Sequence, residues 1–177
     1  IFGKMISIEG NKILYQNLAD SIKSKADLNL LKLFGTELDV YNLTNIVRAK
    51  FWNMDSQMIK ELLVSHTAST SDDLLSKMID AENIKMSFIE LSKTKFVDII
   101  PTEGNDIFMI NEFETKLNIF LYNSLLKEFA NMFKLSTAVS VVRLYDYEIQ
   151  NLASISYAVE NNISTETTMT KIIAPVQ

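Results

Sequence analysis

Residues 38–54, Leu-Asp-Val-Tyr-Asn-Leu-Thr-Asn-Ile-Val-Arg-Ala-Lys-Phe-Trp-Asn-Met, put polar groups where an amphipathic helix needs apolar ones. At helical spacing Leu43, Ile46, Val47, Phe51 and Met54 share one face. Asp39 lies four residues before Leu43, and Asn42 four before Ile46, so an acid and an amide fall in or beside the stripe. A carboxylate in an apolar face is costly unless it is paired or hydrogen-bonded. Asp39 cannot reach Arg48 along one helix, a rise of about 13 Å. Its partner must therefore come from another element or from backbone N–H groups.

The same violation occurs again. From Val141 to Val159 the stripe is Leu144, Leu152, Ile155 and Val159, and Glu148 and Asn151 interrupt it. Glu148 and Asn151 follow Asp39 and Asn42 at one constant offset of 109, and Leu43, Ile46 and Ala49 map onto Leu152, Ile155 and Ala158. Upstream, Tyr15, Leu18 and Ile22 match Tyr122, Leu125 and Phe129 at an offset of 107. Two extra residues in the intervening turn account for the change. This pattern reads as an internal helical repeat.

Around these helices the chain reads as all-α. Asn11–Lys25 is expected to be a helix with Leu14, Leu18 and Ile22 in its stripe and Asn11 as its cap. Asp27 is placed to cap a short helix carrying Leu30, Leu33 and Phe34, and Gly35 marks a bend or a close helix contact. The organising helix then runs to about Trp52, and Asp55 caps a helix over 56–64. A polar loop at 65–71 is followed by a helix through Asp80, capped by Ser71 or Asp72, and another from Ala81 to Ser92. Pro101 and Gly104 mark the break between units, which gives expected units of 1–101 and 102–177. A long helix spans Phe108–Phe133, with Phe113, Leu117, Phe120, Leu121, Leu125 and Phe129 at helical spacing. A tight turn is expected at 135–137, then the second organising helix. Val139–Val142 resembles a strand in composition alone. Asn161 and Asn162 end that helix, and Ser164 or Thr165 caps a last short one.

Composition removes several classes of function. A net charge of −5 lacks the basic stripe that a nucleic-acid binder needs. The absence of cysteine excludes thiolate chemistry, and a zinc site would need at least three His, Asp or Glu ligands in a chain with one histidine. No apolar run approaches the roughly 18–20 residues of a membrane span. His66 reads as a solvated loop residue, and the Met-rich and aromatic stripes as core. Asp72-Asp73 and Glu112/Glu114 stand near helix starts, where the helix dipole favours acids. No catalytic, cofactor-binding or metal-ligating residues are expected. The candidate residues are instead Asp39, Asn42, Arg48, Arg143, Glu148 and Asn151. They are read as a polar network fixing how helices pack in each repeat, with direct contact to a partner protein as the alternative.

The stretch Asp39-x-x-Asn42-Leu43-x-x-x-x-Arg48-Ala49-Lys50, then Phe113-Glu114-x-x-Leu117 and Glu148-Ile149-x-Asn151-Leu152, resembles the single-copy central-stalk subunit of V-type and A-type rotary ATPases. That subunit is called C in prokaryotic enzymes and d in eukaryotic ones. The resemblance covers nearly the whole chain, and Ala153 departs from it where a polar residue often stands. It implies a funnel-like helical repeat architecture, with this chain as the C-terminal part carrying two of the family's three related helical units. It further implies a non-catalytic subunit peripheral to the cytoplasmic side of a membrane. The implied partners are the central-shaft subunits of the ATPase head and the membrane proteolipid ring, and the implied process is proton or sodium transport. A helical-repeat adaptor for an unrelated partner, and an enzyme using a bundle carboxylate, are the competing readings. Calorimetry with ATP or Zn²⁺ is expected to show no binding localised to this chain, and micromolar affinity for either would overturn the reading.

Overall fold

With 4 glycines and 2 prolines in 177 residues, few positions can break a helix. The computed structural model describes residues 12–17, 20, 28–131 and 134–174, and among the described residues every regular element is helical. Residues 12–17 and 20 are helical. Then follow α1 (Leu28–Phe51), α2 (Ser56–Leu62), α3 (Asp72–Asp80), α4 (Ile84–Leu91), a 3₁₀ turn (Val97–Ile99), α5 (Asp106–Phe129), α6 (Leu135–Glu160) and α7 (Thr165–Met169). The chain divides into two compact units, Ile1–Glu114 and Thr115–Gln177. The division lies inside α5, beyond the Pro101 and Gly104 break.

In the first unit α1 is one continuous helix, where the sequence suggested a short helix and a bend at Gly35. Every residue from Leu33 to Asp39 is buried, so packing on all sides overrides the weak helix propensity of glycine. Gly35 serves close approach. Ala68 donates its N–H to the Gly35 carbonyl at 3.1 Å, and a Cβ on Gly35 would lie 2.9 Å from the Ala68 Cβ and nitrogen. The neighbour is a loop and not the helix anticipated. Asp27, Asn11, Leu18 and Ile22 lie outside the described residues, and Leu14 is exposed.

α1 packs against α2, α3 and α4. Leu43, Ile46, Val47 and Ala49 are buried, but Phe51 is exposed and Met54 half-buried, so the buried part of the expected stripe ends at Val47. Asp55 caps α2, accepting from the N–H groups of Gln57 and Met58. That helix stops at Leu62, because Leu63 turns extended. Ser71 caps α3 and Asn83 caps α4. The buried Ser87 hydroxyl donates to the Met78 carbonyl at 2.7 Å, joining the two. Phe113 of α5 packs on Phe88 with centroids 4.8 Å apart. Asn105 caps α5 by accepting from Phe108 N–H, which starts the helix two residues before the expected Phe108.

In the second unit Leu117 and Leu125 are buried on α5. Residues 135–137, anticipated as a tight turn, are the first turn of α6, and Val139–Val142 is helical within it. The expected stripe is overturned: Leu152, Ile155 and Val159 are exposed. α6 instead buries Ser136, Ser140, Tyr147, Asn151 and Ala158. The cause lies in what that face can bond. Ser136 donates to Glu128 at 2.5 Å, Tyr147 donates its hydroxyl to Asn118 at 3.2 Å, and its ring meets Tyr122 edge-on at 5.5 Å. Ser136, Tyr147 and Asn151 bond on this face, the Ser140 hydroxyl is buried there without a hydrogen-bond partner, and the larger apolar side chains point away.

Gly35→Ala should lower stability by about 1–3 kcal/mol through overpacking, against the gain of about 1 kcal/mol that removing a mid-helix glycine ordinarily brings. Urea unfolding measures it, and a stabilised variant would show that the Ala68 loop yields freely.

Candidate functional site

The polar residues of the two organising helices resolve into a recurring local device. Asn42 donates its amide to the Val64 carbonyl at 2.8 Å and accepts from Val64 N–H at 3.0 Å. Asn151 donates to the Ile173 carbonyl at 2.8 Å and accepts from Ile173 N–H at 2.9 Å. In each case the partner lies 22 residues downstream. A side-chain amide carries both a donor and an acceptor, so it can satisfy one peptide unit in both directions, as a neighbouring strand would. Each clamp is buried, and each holds a stretch of chain that has left its helix.

The segments between clamp and partner also correspond. Both helices end on a left-handed asparagine, Asn53 at φ 53° and Asn162 at φ 52°. Met54 donates to the Ala49 carbonyl at 3.0 Å, and Ile163 to the Ala158 carbonyl at 2.9 Å. Asn53 donates to Lys50, and Asn162 to Val159. These are the two bonds of a Schellman ending, which suits asparagine because it tolerates the left-handed region. The next helix starts on Asp55 in one segment and Ser164 in the other, each an extended N-cap whose side chain accepts backbone N–H.

Asp39 has no such counterpart. It is fully buried, and its Oδ1 accepts from Ser69 N–H at 3.2 Å and from Thr70 N–H at 2.9 Å and hydroxyl at 2.7 Å. Its Oδ2 has no hydrogen-bond partner. The partner is thus backbone, one of the two sources expected. Glu148, placed as its equivalent, is exposed. Glu148 acts only at a distance: burial first, and then this carboxylate, push the Tyr122 phenol upward.

The arginines also diverge. Arg48 forks onto Glu114, with Nε at 2.5 Å and Nη2 at 2.7 Å from the carboxylate oxygens. That hydrogen bond raises the Arg48 guanidinium further, against the opposing effect of its burial. Arg143 lies 3.6 Å from Asp146 on its own helix. Lys50 donates to the Ala81 carbonyl at the end of α3, and burial lowers its ammonium pKa. The described contacts of Asp39, Asn42, Arg48, Arg143 and Asn151 each run to a residue outside these six candidates. Glu114, Val64 and Ile173 complete those contacts and were not among the candidates. The matching triplets Asn53-Met54-Asp55 and Asn162-Ile163-Ser164, which share the offset of the two clamps, were a legible signal for the common helix ending.

No group of three or more acidic or histidine side chains that could hold a metal occurs among the described residues. His66 is exposed. Among the described residues no helix is long and apolar enough to cross a membrane.

Asn42→Leu and Asn151→Leu should each destabilise their own unit by about 1–3 kcal/mol for every backbone group left buried and unpaired. The Asn42 change should cost more, because that side chain is entirely buried while Asn151 keeps some exposure. Chemical denaturation followed by hydrogen exchange at Val64 and Ile173 reads both, and unchanged exchange at these amides would refute the clamp.

Comparison with known proteins gives the family. The family model described as ATP synthase (C/AC39) subunit matches residues 5–171. The C subunit of the A-type ATP synthase of Pyrococcus horikoshii is 28% identical over 166 residues, 90% of this chain and 44% of that protein. The protein of the same name from Pyrococcus furiosus is 26% identical over 166 residues, 92% of this chain and 44% of its own length. The chain thus spans less than half the length of these relatives. No solved structure gives a significant match. With the family match running over Asn42, Val64 and Asn151 and ending two residues before Ile173, this protein belongs to the ATP synthase (C/AC39) subunit family.

Proposed function

We propose that the chain is part of the central stalk of an A/V-type rotary ATPase. In this reading it is a non-catalytic piece that couples the rotating shaft to the proteolipid ring, on the cytoplasmic side of the membrane, for proton or sodium transport. The family match and the relatives named as C subunits of A-type ATP synthases support it. The observation that carries it is the paired clamp: two corresponding segments, one in each unit, spend their buried polar groups on the same internal bonds. Groups used in this way hold shape and are not left to act on a substrate. A torque-bearing piece needs such stiffness, because it must pass a force on without yielding. The proposed units, 1–101 and 102–177, are two related copies of one helical element.

The test is affinity purification of the tagged protein from membranes of its source in mild detergent. Proteolipid and shaft subunits should co-purify in constant ratio, and ATP hydrolysis by the preparation should be unaffected by residues of this chain that contact no nucleotide. Recovery of the intact ATPase without this chain would overturn the assignment and favour an adaptor for a different assembly.

A further inference from the structure

Helix α6 is inverted. The face it buries is small or polar, namely Ser136, Ser140, Tyr147, Asn151 and Ala158. The opposite face carries Leu135, Val142, Tyr145, Ile149, Leu152 and Val159, with Ala138 and Ser156 completing the row. The steps alternate between three and four residues without a break, which is the seam of a coiled coil. Val142, Tyr145, Ile149, Leu152 and Val159 are each 61–73% exposed. A contiguous apolar patch of this kind marks an interaction surface.

The first unit shows what such a face does when it is covered. At the positions of α1 corresponding to Val142, Tyr145 and Leu152, Leu33, Thr36 and Leu43 are buried, those corresponding to Ile149 and Val159, Val40 and Lys50, are half-buried, and α3 and α4 pack on the helix. The margins of the α6 row are mostly acidic, with Asp146, Glu148 and Glu160 against Lys134 at the start of the helix. Asp146 is paired with Arg143, while Glu148 and Glu160 have no cationic partner among the described residues. A second copy suits these margins poorly. Antiparallel pairing centred between Tyr145 and Ile149 would set Glu148 against its own counterpart, and each chain brings a net charge of −5.

We propose that this face of α6 is the docking seam for one amphipathic helix of a separate polypeptide, with an apolar three-four row flanked by lysine or arginine. Apolar burial supplies the affinity, and the charged margins select the partner. The inference rests on α6 alone and stands apart from the ring-and-shaft reading.

The probe is a synthetic helical peptide as long as α6, with leucine at the row positions and lysine on both margins. Its own charge keeps it from self-pairing. A control peptide carries glutamate on the margins. The lysine peptide should protect Tyr145 and Leu152 from hydroxyl-radical labelling and bind at least about tenfold more tightly than the glutamate peptide. Leu152→Asp should abolish that binding although it adds negative charge, and circular dichroism should show its fold unchanged because the residue is exposed. Equal binding of the two peptides, or undiminished binding to Leu152→Asp, would overturn the proposal. So would a dimer in sedimentation that Leu152→Asp dissolves, which would make a second copy the occupant. Protection of Tyr145 and Leu152 in the longest natural form of the protein, purified alone, would assign the face to another segment of the same protein and equally overturn it.

Discussion

A side-chain amide that replaces a strand is the interaction on which each unit depends. Once the chain leaves a helix, the peptide groups of the emerging residue have no ladder to join, and in a buried place they must be satisfied. Asn42 does this for Val64, and Asn151 for Ile173. Asparagine is suited to the task because both functions stand on a short, stiff side chain. Aspartate offers no donor, and leucine offers neither function. The clamp is why a polar residue can persist in an apolar stripe: its cost is offset by the backbone it satisfies.

The same economy governs what surrounds the clamps. The Schellman endings at Asn53 and Asn162 turn the chain sharply, and the caps at Asp55 and Ser164 start the next helix at once. Clamp, ending and cap together bring the downstream residue back against the helix it came from. Asp39 adds a second tie in the first unit, drawing three donors from Ser69 and Thr70 to one oxygen. The loop it fixes is the one whose Ala68 lies against Gly35. By contrast, the Arg48–Glu114 fork joins a half-exposed arginine to α5, and such pairs contribute no more than about 1 kcal/mol. Backbone satisfaction, and not ion pairing, sets the architecture here.

Electrostatics enters more strongly at the surface. In the docking proposed for α6, the acidic margin decides which helix can lie along that seam.

Much of this was legible in the residues themselves. The all-helical class follows from the spacing of Leu43, Ile46 and Val47 and the scarcity of breakers, because helical periodicity is local. The caps at Asp55, Ser71 and Ser164 are local too, since each bonds within three residues. The requirement that Asn42 and Asn151 find partners follows from the cost of burying an amide unpaired. Tertiary packing decided the rest. Sequence spacing marks a stripe on Leu152, Ile155 and Val159, but only contact with a neighbour buries a stripe, and α6 turns Ser136, Ser140, Tyr147 and Asn151 inward instead. Periodicity could not separate Asp39 from Glu148, because the donors that bury the first belong to a loop 30 residues away. The chain's local chemistry determined which elements form and where they end. Which face each helix hides depended on long-range donors and neighbouring surfaces, which no local pattern encodes.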